Sequence, residues 1–333
     1  MELRRVRGRP LGDAPRERER DHGDGRPLNT TRRRMALGLA VALVLLAVGY
    51  LGVGLLVAAR LSAPDREPIG PPPAGLEVAE VAFEGTDGVP LSAWWVPPAG
   101  GGPQRAVVLI HGWGGSRSDE YVMRTAPLYA KWGYGVLMLD LRGHGESGGE
   151  RRTLGYREVH DVRGALAWLE GQGVEPGEVV LHGWSMGGAT AVRSAPGTGV
   201  AAVVEEAGYA DLPLLLRNEL PENSGLPRAF NGGTFLAAKL FLGLDPWDVR
   251  PRRDAARLRE EGVPLFVVHS TADETVPYEH AKIFAGANPD ARLWTLEGYG
   301  HVEAHDHPEY EARLRGFLGS ISEGDRDEVR EAG

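Results

Sequence analysis

The 333-residue sequence has no cysteine, which excludes disulfide bonds, thiolate catalysis and cysteine-based zinc sites but leaves the redox compartment undetermined. Beyond residue 34 it also lacks an excess of basic residues. Residues 1–34 hold 11 of the 37 Lys and Arg and 6 of the 46 Asp and Glu, so 26 basic residues stand against 40 acidic ones in the remainder. Because an acidic domain carries no electrostatic footprint of nucleic-acid binding, we expect no nucleic-acid partner.

Apolar periodicity is almost absent from residues 1–34, which are rich in Arg, Gly, Pro and Asp. Such a segment buries too little surface to offset the entropy lost on ordering, so we predict that it is disordered. Residues 35–59, in contrast, lack charge altogether. A run of 25 uncharged, mostly apolar residues is long enough to cross a hydrocarbon core, and it predicts a transmembrane helix.

The charges that flank this apolar run predict its orientation. Three arginines, residues 32–34, precede it directly, whereas the basic residues that follow are accompanied by acidic ones. The positive-inside rule then places the N-terminus in the cytoplasm and the chain beyond residue 60 on the extracytoplasmic side of the membrane. A cleaved signal peptide, a twin-arginine export signal around residues 31–37 and a buried helix of a soluble protein are the alternatives.

Residues 60–75 are rich in proline and predict an extended linker that holds the next domain off the membrane surface. Over residues 76–320, short apolar segments typical of buried strands alternate with segments of helical periodicity. Leu76–Phe83 and Val89–Val96 flank a turn and predict an antiparallel hairpin. The alternation predicts an α/β fold: a mostly parallel sheet with helices on both faces.

Several prolines interrupt this alternation between residues 209 and 254. An insertion between two core strands would lie over the strand ends, so we predict a small helical cap that lines a substrate pocket. A long crossover connection is the alternative. The charged tail, residues 321–333, is expected to be frayed.

The segment Gly183–Gly188 reads Gly-Trp-Ser-Met-Gly-Gly and lies between a predicted strand and a predicted helix. In that setting Gly-x-Ser-x-Gly is typical of a nucleophile elbow, a turn so tight that the neighbours of the serine must be small. The partial positive charge of the helix N-terminus would favour an oxyanion formed there. Ser185 is therefore the candidate nucleophile, and a serine that merely caps the helix is the alternative.

A serine hydroxyl needs a base within hydrogen-bond reach and a third group that orients the base. Asp273 follows one buried strand and His301 follows the last strand, in the chain order Ser, acid, His of nucleophile-elbow enzymes. Both would lie at the carboxyl ends of strands, where ligands bind in such sheets. We predict Asp273 as the acid and His301 as the base. The alternative acids are Glu274 and the pair Glu205-Glu206.

His301 begins a His-rich stretch in which His305 and His307 compete with it, and this spacing raises the alternative of a metal site. No His-Glu-x-x-His pattern is present, and the glycines beside His301 explain its loop without a metal. We expect no metal and no cofactor.

The loop His111–Ser116 follows the apolar strand Ala106–Ile110 and contains three glycines. In nucleophile-elbow enzymes, the loop at this position supplies one of the two backbone N–H groups that bind the oxyanion. We predict that the backbone N–H groups of Trp113 and Met186 form an oxyanion hole.

Four motifs, HGWGGS at 111–116, DLRGHGES at 140–147, GWSMGG at 183–188 and the Asp273/His301 pair, together resemble the α/β-hydrolase superfamily of serine hydrolases over about residues 76–320. The similarity is greatest to membrane-tethered or secreted esterases of the serine aminopeptidase-like and dienelactone hydrolase-like groups. It implies that Ser185 is the nucleophile. It also implies that the 140–147 segment is a structural turn, in which His144 is a local hydrogen-bonding residue. Trp113 departs from the small-acyl esterases: with Trp184 it would either narrow the acyl pocket or wall a hydrophobic one.

The resemblance implies a carboxylesterase that forms an acyl-enzyme intermediate with a small-molecule or lipid-like ester. The same triad serves peptidases, thioesterases and acyltransferases, and the sequence does not separate these. A non-catalytic, membrane-tethered binding domain on a hydrolase fold is the alternative from another class. That alternative predicts that one triad member is missing, and none is.

Overall fold

A single eight-stranded sheet organises the described residues, 28–98 and 104–331, of the computed structural model. Along the chain the strands are β1 (Ala79–Glu84), β2 (Pro90–Val96), β3 (Ala106–Ile110), β4 (Gly135–Leu139), β5 (Val179–Trp184), β6 (Ala202–Glu206), β7 (Leu265–Ser270) and β8 (Arg292–Leu296). Their spatial order is β1-β2-β4-β3-β5-β6-β7-β8. The predicted hairpin β1–β2 is antiparallel, β2 pairs antiparallel with β4, and all further pairs are parallel. The predicted α/β fold is confirmed.

Helices cover both faces of the sheet. The helices that pack on the sheet are α2 (Glu120–Lys131), α3 (Glu158–Gly171), α4 (Met186–Ser194), α7 (Pro251–Glu260), α8 (Glu279–Ala287) and α9 (Tyr310–Glu331). The N-terminal helix α1 (Leu28–Leu61) and the two helices of the predicted cap, α5 (Leu212–Ser224) and α6 (Asn231–Ala237), are described below. Successive side chains of a strand point to opposite faces. In β3, Val108 and Ile110 join the core beneath α3, α4, α7 and α8, whereas Val107 and Leu109 join the core beneath α2 and α9. Every residue of β3 is buried, as expected for a strand covered on both sides.

The N-terminal helix α1 extends from Leu28 to Leu61. It includes residues 28–34, which we expected to be disordered; residues 1–27 lie outside the described part of the chain. A helix that has already nucleated adds residues at little cost, and arginine is a good helix former, which accounts for the helical assignment of residues 28–34. Thr30–Leu61 is long and apolar enough to cross a membrane. Only 6% of its most apolar stretch of 18 residues is buried. That exposure does not fit the buried helix of a soluble protein.

The chain divides into two units between Val48 and Gly49. The described residues of the first unit are helical, and most of their apolar side chains are exposed. The second unit contains the last turns of α1 and the hydrolase-like domain.

The proline-rich segment after α1, which we predicted to be an extended linker that holds the domain off the membrane surface, makes hydrogen bonds with the domain. The amide N–H of Asp65 donates to the carbonyl oxygen of Gly143 at 2.7 Å, and the guanidinium of Arg66 donates to that of Gly149 at 2.8 Å. The Arg152 amide donates to the carbonyl oxygen of Ser62 at 3.0 Å. Proline lacks a backbone donor, so the non-proline residues of the segment make these contacts, through the Asp65 N–H, the Arg66 side chain and the Ser62 carbonyl oxygen.

The insertion between β6 and β7 is helical. It contains α5 (Leu212–Ser224) and α6 (Asn231–Ala237), which a π-helical turn prolongs to Leu242. These elements form the cap. Its predicted end at residue 254 is too late, because Pro251 starts α7 and that helix packs into the core through Ala255 and Leu258.

Helix α9 continues to Glu331, so the tail that we expected to be frayed is helical through residues 321–331. The tail is rich in glutamate and arginine, which favour helix and extend one that the core has nucleated.

Candidate active site

Ser185 lies in a strained turn between β5 and α4. Its backbone angles are φ 53° and ψ −119°, a conformation that residues other than glycine rarely adopt. A Cβ atom on Gly183 would overlap the backbone of Gly187, and one on Gly187 would overlap the carbonyl group of Ile110. The amide N–H of Ser185 donates to the carbonyl oxygen of Glu206 at 2.8 Å. The two glycines therefore permit the turn, and the neighbouring strand holds it.

Three side chains from separate loops meet at this turn. His301 Nε2 lies 2.9 Å from Ser185 Oγ, and His301 Nδ1 lies 2.8 Å from Asp273 Oδ2. The other carboxylate oxygen of Asp273 accepts the amide N–H groups of Thr275 and Val276 at 2.9 and 2.8 Å. Asp273 has no exposed side-chain surface, whereas His301 is 21% exposed. The arrangement suits proton transfer from the hydroxyl to an imidazole that a buried carboxylate orients.

The alternative acids are engaged elsewhere. Glu206 accepts hydrogen bonds from His182 Nε2 at 2.8 Å and from the Tyr310 hydroxyl at 2.5 Å. Glu205 accepts from the Gly208 amide, and Glu274 is exposed. Among the described residues, Asp273 is the carboxylate that contacts His301.

The other histidines of the 301–307 stretch bond locally. His305 Nδ1 lies 3.0 Å from the carbonyl oxygen of Val302, and His307 packs against the rings of Trp294 and Tyr299. The described residues contain no group of three or more His, Cys, Asp or Glu arranged to hold a metal ion.

The loop after β3 lies beside the nucleophile. A Cβ atom on Gly112 would come within 3.3 Å of the Ser185 Cβ atom. In the described part of the chain, neither the Trp113 nor the Met186 backbone N–H has a hydrogen-bond acceptor. Met186 is the first residue of α4, and the N–H groups of the first turn of a helix have no carbonyl acceptor within that helix. Neither of the two N–H groups that we predicted as oxyanion donors is therefore used by the fold in the described part of the chain.

His144, in the 140–147 turn, supports that loop. It is fully buried; its Nδ1 donates to the carbonyl oxygen of Arg142 at 2.9 Å, and its Nε2 accepts the Gly114 N–H at 3.3 Å. Burial, reinforced by neighbouring His111, lowers the pKa of His144 to about 2, so the ring is neutral and can accept from Gly114. The histidine supports the loop 111–116 through Gly114, and none of its hydrogen bonds is to Ser185, in agreement with the local role that the resemblance implied.

A cavity of about 240 Å³ opens at Ser185 and His301. Helix α5 of the cap lines it with apolar Leu215 and Leu216. Glu219 and Asn223 of the same helix also line it. The remaining lining residues come from the turn at Ser185, the loop 111–116, neighbouring loops and α1, and are Leu61, Trp113, Leu154, Met186, Tyr209, Thr275 and Val276. The cap therefore lines this cavity, as predicted. The contribution of Leu61, from the apolar N-terminal helix, was not predicted, because no local pattern links that helix to the cap.

The two indoles that the sequence placed near the oxyanion hole have different positions. Trp184 is fully buried and stacks on His182 at 4.2 Å, so it belongs to the core. Trp113 is 45% exposed, lines the cavity and lies beneath the Arg152 guanidinium at 4.5 Å. Of the two, only Trp113 shapes the pocket, as part of an apolar wall.

Glu205 is a buried carboxyl group beneath the elbow. Burial raises its pKa to about 8, although the Gly208 N–H that it accepts opposes the shift. Its second oxygen has no hydrogen-bond partner among the described residues. A Cβ atom on Gly188, in the elbow, would lie 3.1 Å from Glu205 Oε1, so the carboxyl group packs against the elbow. A glutamate pair at the end of an apolar strand is the sequence signal for it, and we had read that pair only as an alternative acid.

The sequence model of the Alpha/beta hydrolase family matches residues 107–314 of the chain.

Among individual proteins, the uncharacterised Mycobacterium tuberculosis protein Rv2307c is 35% identical over 240 residues, which cover 70% of this chain and 76% of that protein. The uncharacterised Escherichia coli protein YfhR is 26% identical over 251 residues, covering 72% and 78%. A solved Pyrococcus furiosus esterase superposes with a TM-score of 0.62 at 23% identity, covering 78% of this chain and 98% of that one. Est1E from Butyrivibrio proteoclasticus, with ferulic acid bound, gives 0.55 at 20% identity, covering 72% and 98%. At these identities, the similarity to the two solved structures shows only a shared fold.

Proposed function

Since this chain belongs to the Alpha/beta hydrolase family, we propose that it is a serine hydrolase that cleaves carboxylic esters through an acyl-enzyme intermediate. The observation that carries the proposal is the continuous hydrogen-bond chain from Asp273 through His301 to Ser185. A solvent-accessible cavity adjoins the hydroxyl end of that chain. The esterase activity named for the Pyrococcus furiosus neighbour favours ester cleavage within the family.

In the first step, His301 Nε2 takes the proton of the Ser185 hydroxyl as Oγ attacks the ester carbonyl carbon. The carbonyl oxygen becomes an oxyanion and accepts the N–H groups of Trp113 and Met186. Asp273 stabilises the imidazolium and keeps Nδ1 protonated. When the tetrahedral intermediate collapses, the imidazolium gives its proton to the leaving alcohol, and the acyl group stays on Ser185.

In the second step, His301 takes a proton from water, and the resulting hydroxide attacks the acyl carbon. The new tetrahedral intermediate collapses, Ser185 Oγ leaves, and the imidazolium returns the proton to it. The carboxylic acid departs and the free enzyme is restored. The step uses no group beyond the same three side chains and the same two backbone donors.

The cavity supports an ester with a hydrophobic acyl or alcohol part, because most of its lining side chains are apolar. The same triad also serves peptidases, thioesterases and acyltransferases. A panel of matched ester, thioester and amide substrates separates these activities, and the proposal expects the ester to be cleaved fastest.

The enzyme is proposed to be anchored by α1, with the N-terminus in the cytoplasm and the catalytic domain outside. The length and composition of Thr30–Leu61 and the three arginines at its start support this topology.

Replacing Ser185 by alanine tests the chemistry directly. We expect Ser185→Ala to abolish hydrolysis of a short p-nitrophenyl ester and labelling by a fluorophosphonate probe, because both reactions require the Oγ nucleophile. The matched control is Ser320→Ala, at an exposed serine of α9, which should leave both signals unchanged. Hydrolysis and labelling that persist in Ser185→Ala would exclude the proposed nucleophile.

A further inference from the structure

The last turns of α1 pack on the cap through one face of the helix. Tyr50, Gly54 and Ala58 recur every four residues along that face, and Gly54 and Ala58 are buried. A Cβ atom on Gly54 would lie 2.5 Å from the backbone of Gly233 in α6, so only glycine permits this approach. The Tyr50 hydroxyl donates to the carbonyl oxygen of Ala229 at 2.6 Å and accepts the Gly233 N–H at 2.8 Å. The cap is therefore joined directly to the apolar N-terminal helix.

Large apolar side chains of the same cap segment are exposed. Leu240 is 60% exposed and Phe241 is 58% exposed, in the π-helical turn that follows α6. Leu236 of α6 is also exposed, as is Trp247, which follows the cap and packs its ring against Phe235 of α6 at 5.1 Å. We call Leu236, Leu240, Phe241 and Trp247 the cap patch. In the described part of the chain, the other exposed large hydrophobic residues are those of α1 and Trp113. A cluster of this kind on an otherwise polar domain marks a contact surface.

The sequence indicates what this surface contacts. A hydrocarbon core takes about 20 helical residues, and counting from Met35 these end near Gly54. The segment that packs on the cap then begins in the last turn of the hydrocarbon core, at Tyr50, and runs through the membrane–water interface to Leu61. Tyrosine and tryptophan are common at this depth. Because Gly54 touches Gly233 in α6, the cap patch adjoins a helix segment at interfacial depth.

A groove of about 590 Å³ lies beside the catalytic cavity. One side is formed by α1, through Leu56 and Val57 among others, and the other by the end of α5. Leu61, Trp113 and Asn223 line both the groove and the catalytic cavity, so the two spaces adjoin. Arg60 and Arg152 also line the groove.

We propose that the cap patch is embedded in the lipid interface beside α1, and that the substrate is an amphiphilic ester with a long acyl chain, taken from the bilayer through this groove. This inference rests on the proposed esterase function and on the proposed membrane anchor. Its physical basis is that Leu56, Val57 and Leu61 of α1 offer an acyl chain apolar contacts on the side of the groove that adjoins the catalytic cavity, while the arginines of the groove suit a polar head group. A short, water-soluble ester needs neither the patch nor the membrane.

The position of the patch is tested with full-length protein in vesicles. Because the chain has no cysteine, Phe241→Cys offers a single site for an environment-sensitive fluorophore. We expect nitroxide groups on the lipids to quench this label. The control is Lys282→Cys, at an exposed residue of α8, where we expect no quenching. A label at 241 that stays unquenched, whether it reports water or burial against a second copy of the chain, overturns the proposal.

The substrate class is tested with Leu240→Ser/Phe241→Ser in the same vesicles. We expect hydrolysis of a long-chain ester dissolved in the bilayer to fall about tenfold, because two interfacial apolar side chains are lost. Hydrolysis of p-nitrophenyl acetate should match that of wild type. An equal loss on both substrates, or no loss on either, contradicts the proposal.

The two proposals fail in different ways. If wild type hydrolyses no ester at all, the proposed function is wrong, and the quenching result still decides where the patch lies. If p-nitrophenyl acetate is hydrolysed and the label at 241 is unquenched, the esterase assignment stands and the inference about the membrane is wrong.

Discussion

The role proposed for Asp273 depends on the tautomer of one imidazole. The buried carboxylate of Asp273 accepts a hydrogen bond from His301 Nδ1 with one oxygen, and hydrogen bonds from two backbone N–H groups with the other. A neighbouring histidine, His269, also approaches it, with Nε2 at 3.5 Å, but burial lowers the pKa of His269 and keeps that ring neutral. The negative charge of Asp273 is therefore directed at His301.

Asp273→Asn keeps the size of the side chain but removes this charge and presents an N–H donor to His301. We expect kcat/KM to fall by about 10³ to 10⁴, because the imidazole is then held in the wrong tautomer and its cation is no longer stabilised. Glu274→Gln, at the adjacent exposed carboxylate, serves as the control and should retain wild-type kinetics. An Asp273→Asn enzyme with near-normal kcat/KM would show that another group orients the base.

The buried carboxyl group of Glu205 predicts a pH-dependent stability. Its pKa of about 8 in the folded protein exceeds its ordinary value of 4.5, so between these values the folded state holds a proton that the unfolded chain has released. The stabilising contribution of Glu205 is therefore complete below about pH 4.5 and is lost as pH rises through 8. Glu205→Gln, which cannot ionise, removes this dependence.

We expect the midpoint of thermal unfolding of Glu205→Gln, measured in detergent, to rise relative to wild type between pH 5 and pH 8.5. The difference should correspond to a few kcal/mol, from about 1.4 kcal/mol per pKa unit. A difference between the two proteins that is the same at both pH values would mean that Glu205 is ionised throughout or titrates normally when folded.

At the scale of elements, the contact between α1 and α6 depends on two glycines. In Gly54→Leu, the new side chain would meet the backbone of Gly233, which cannot move aside as a flexible side chain can. We expect the free energy of unfolding to fall by about 1 to 3 kcal/mol, the usual cost of overpacking, and the cap to become more sensitive to proteolysis.

Gly52→Leu is the matched control for this substitution. A Cβ atom at Gly52 would have no neighbour within 4 Å, and both variants add the same apolar side chain to the same helix. The measurements are thermal unfolding and limited proteolysis in one detergent. If both variants lose stability equally, the cost lies in the helix itself and not in its contact with the cap.

At the scale of the whole molecule, the proposed topology places the segment after α1 outside the cell membrane. Ala74, which is exposed in this segment, can be replaced by cysteine in a chain that has no other. We expect Ala74→Cys to react with a membrane-impermeant maleimide on intact cells. Protection from the reagent until the cells are lysed would invert the orientation.

The candidate site was predictable from the sequence because its parts are local signals. Ser185 is marked by the glycines that its turn requires, and Asp273 and His301 each follow a strand that can be recognised from its apolar residues alone. Parallel strands end at a common edge, so residues that follow such strands meet in space even when 116 positions separate Ser185 from His301. The fold class follows from the same alternation of strands and helices.

What the sequence did not determine is which surfaces pack on one another. Gly54 looks like any other glycine of an apolar helix until Gly233 is found against it, and Trp184 looks like a pocket residue until its ring is found stacked in the core. Leu61 joins the catalytic cavity, and Glu205 supports the elbow, only through contacts between distant segments. Strand, helix and turn signals arise from neighbouring residues, and the sequence therefore shows them. Packing between elements depends on shape complementarity across the chain, and only the tertiary structure decides it.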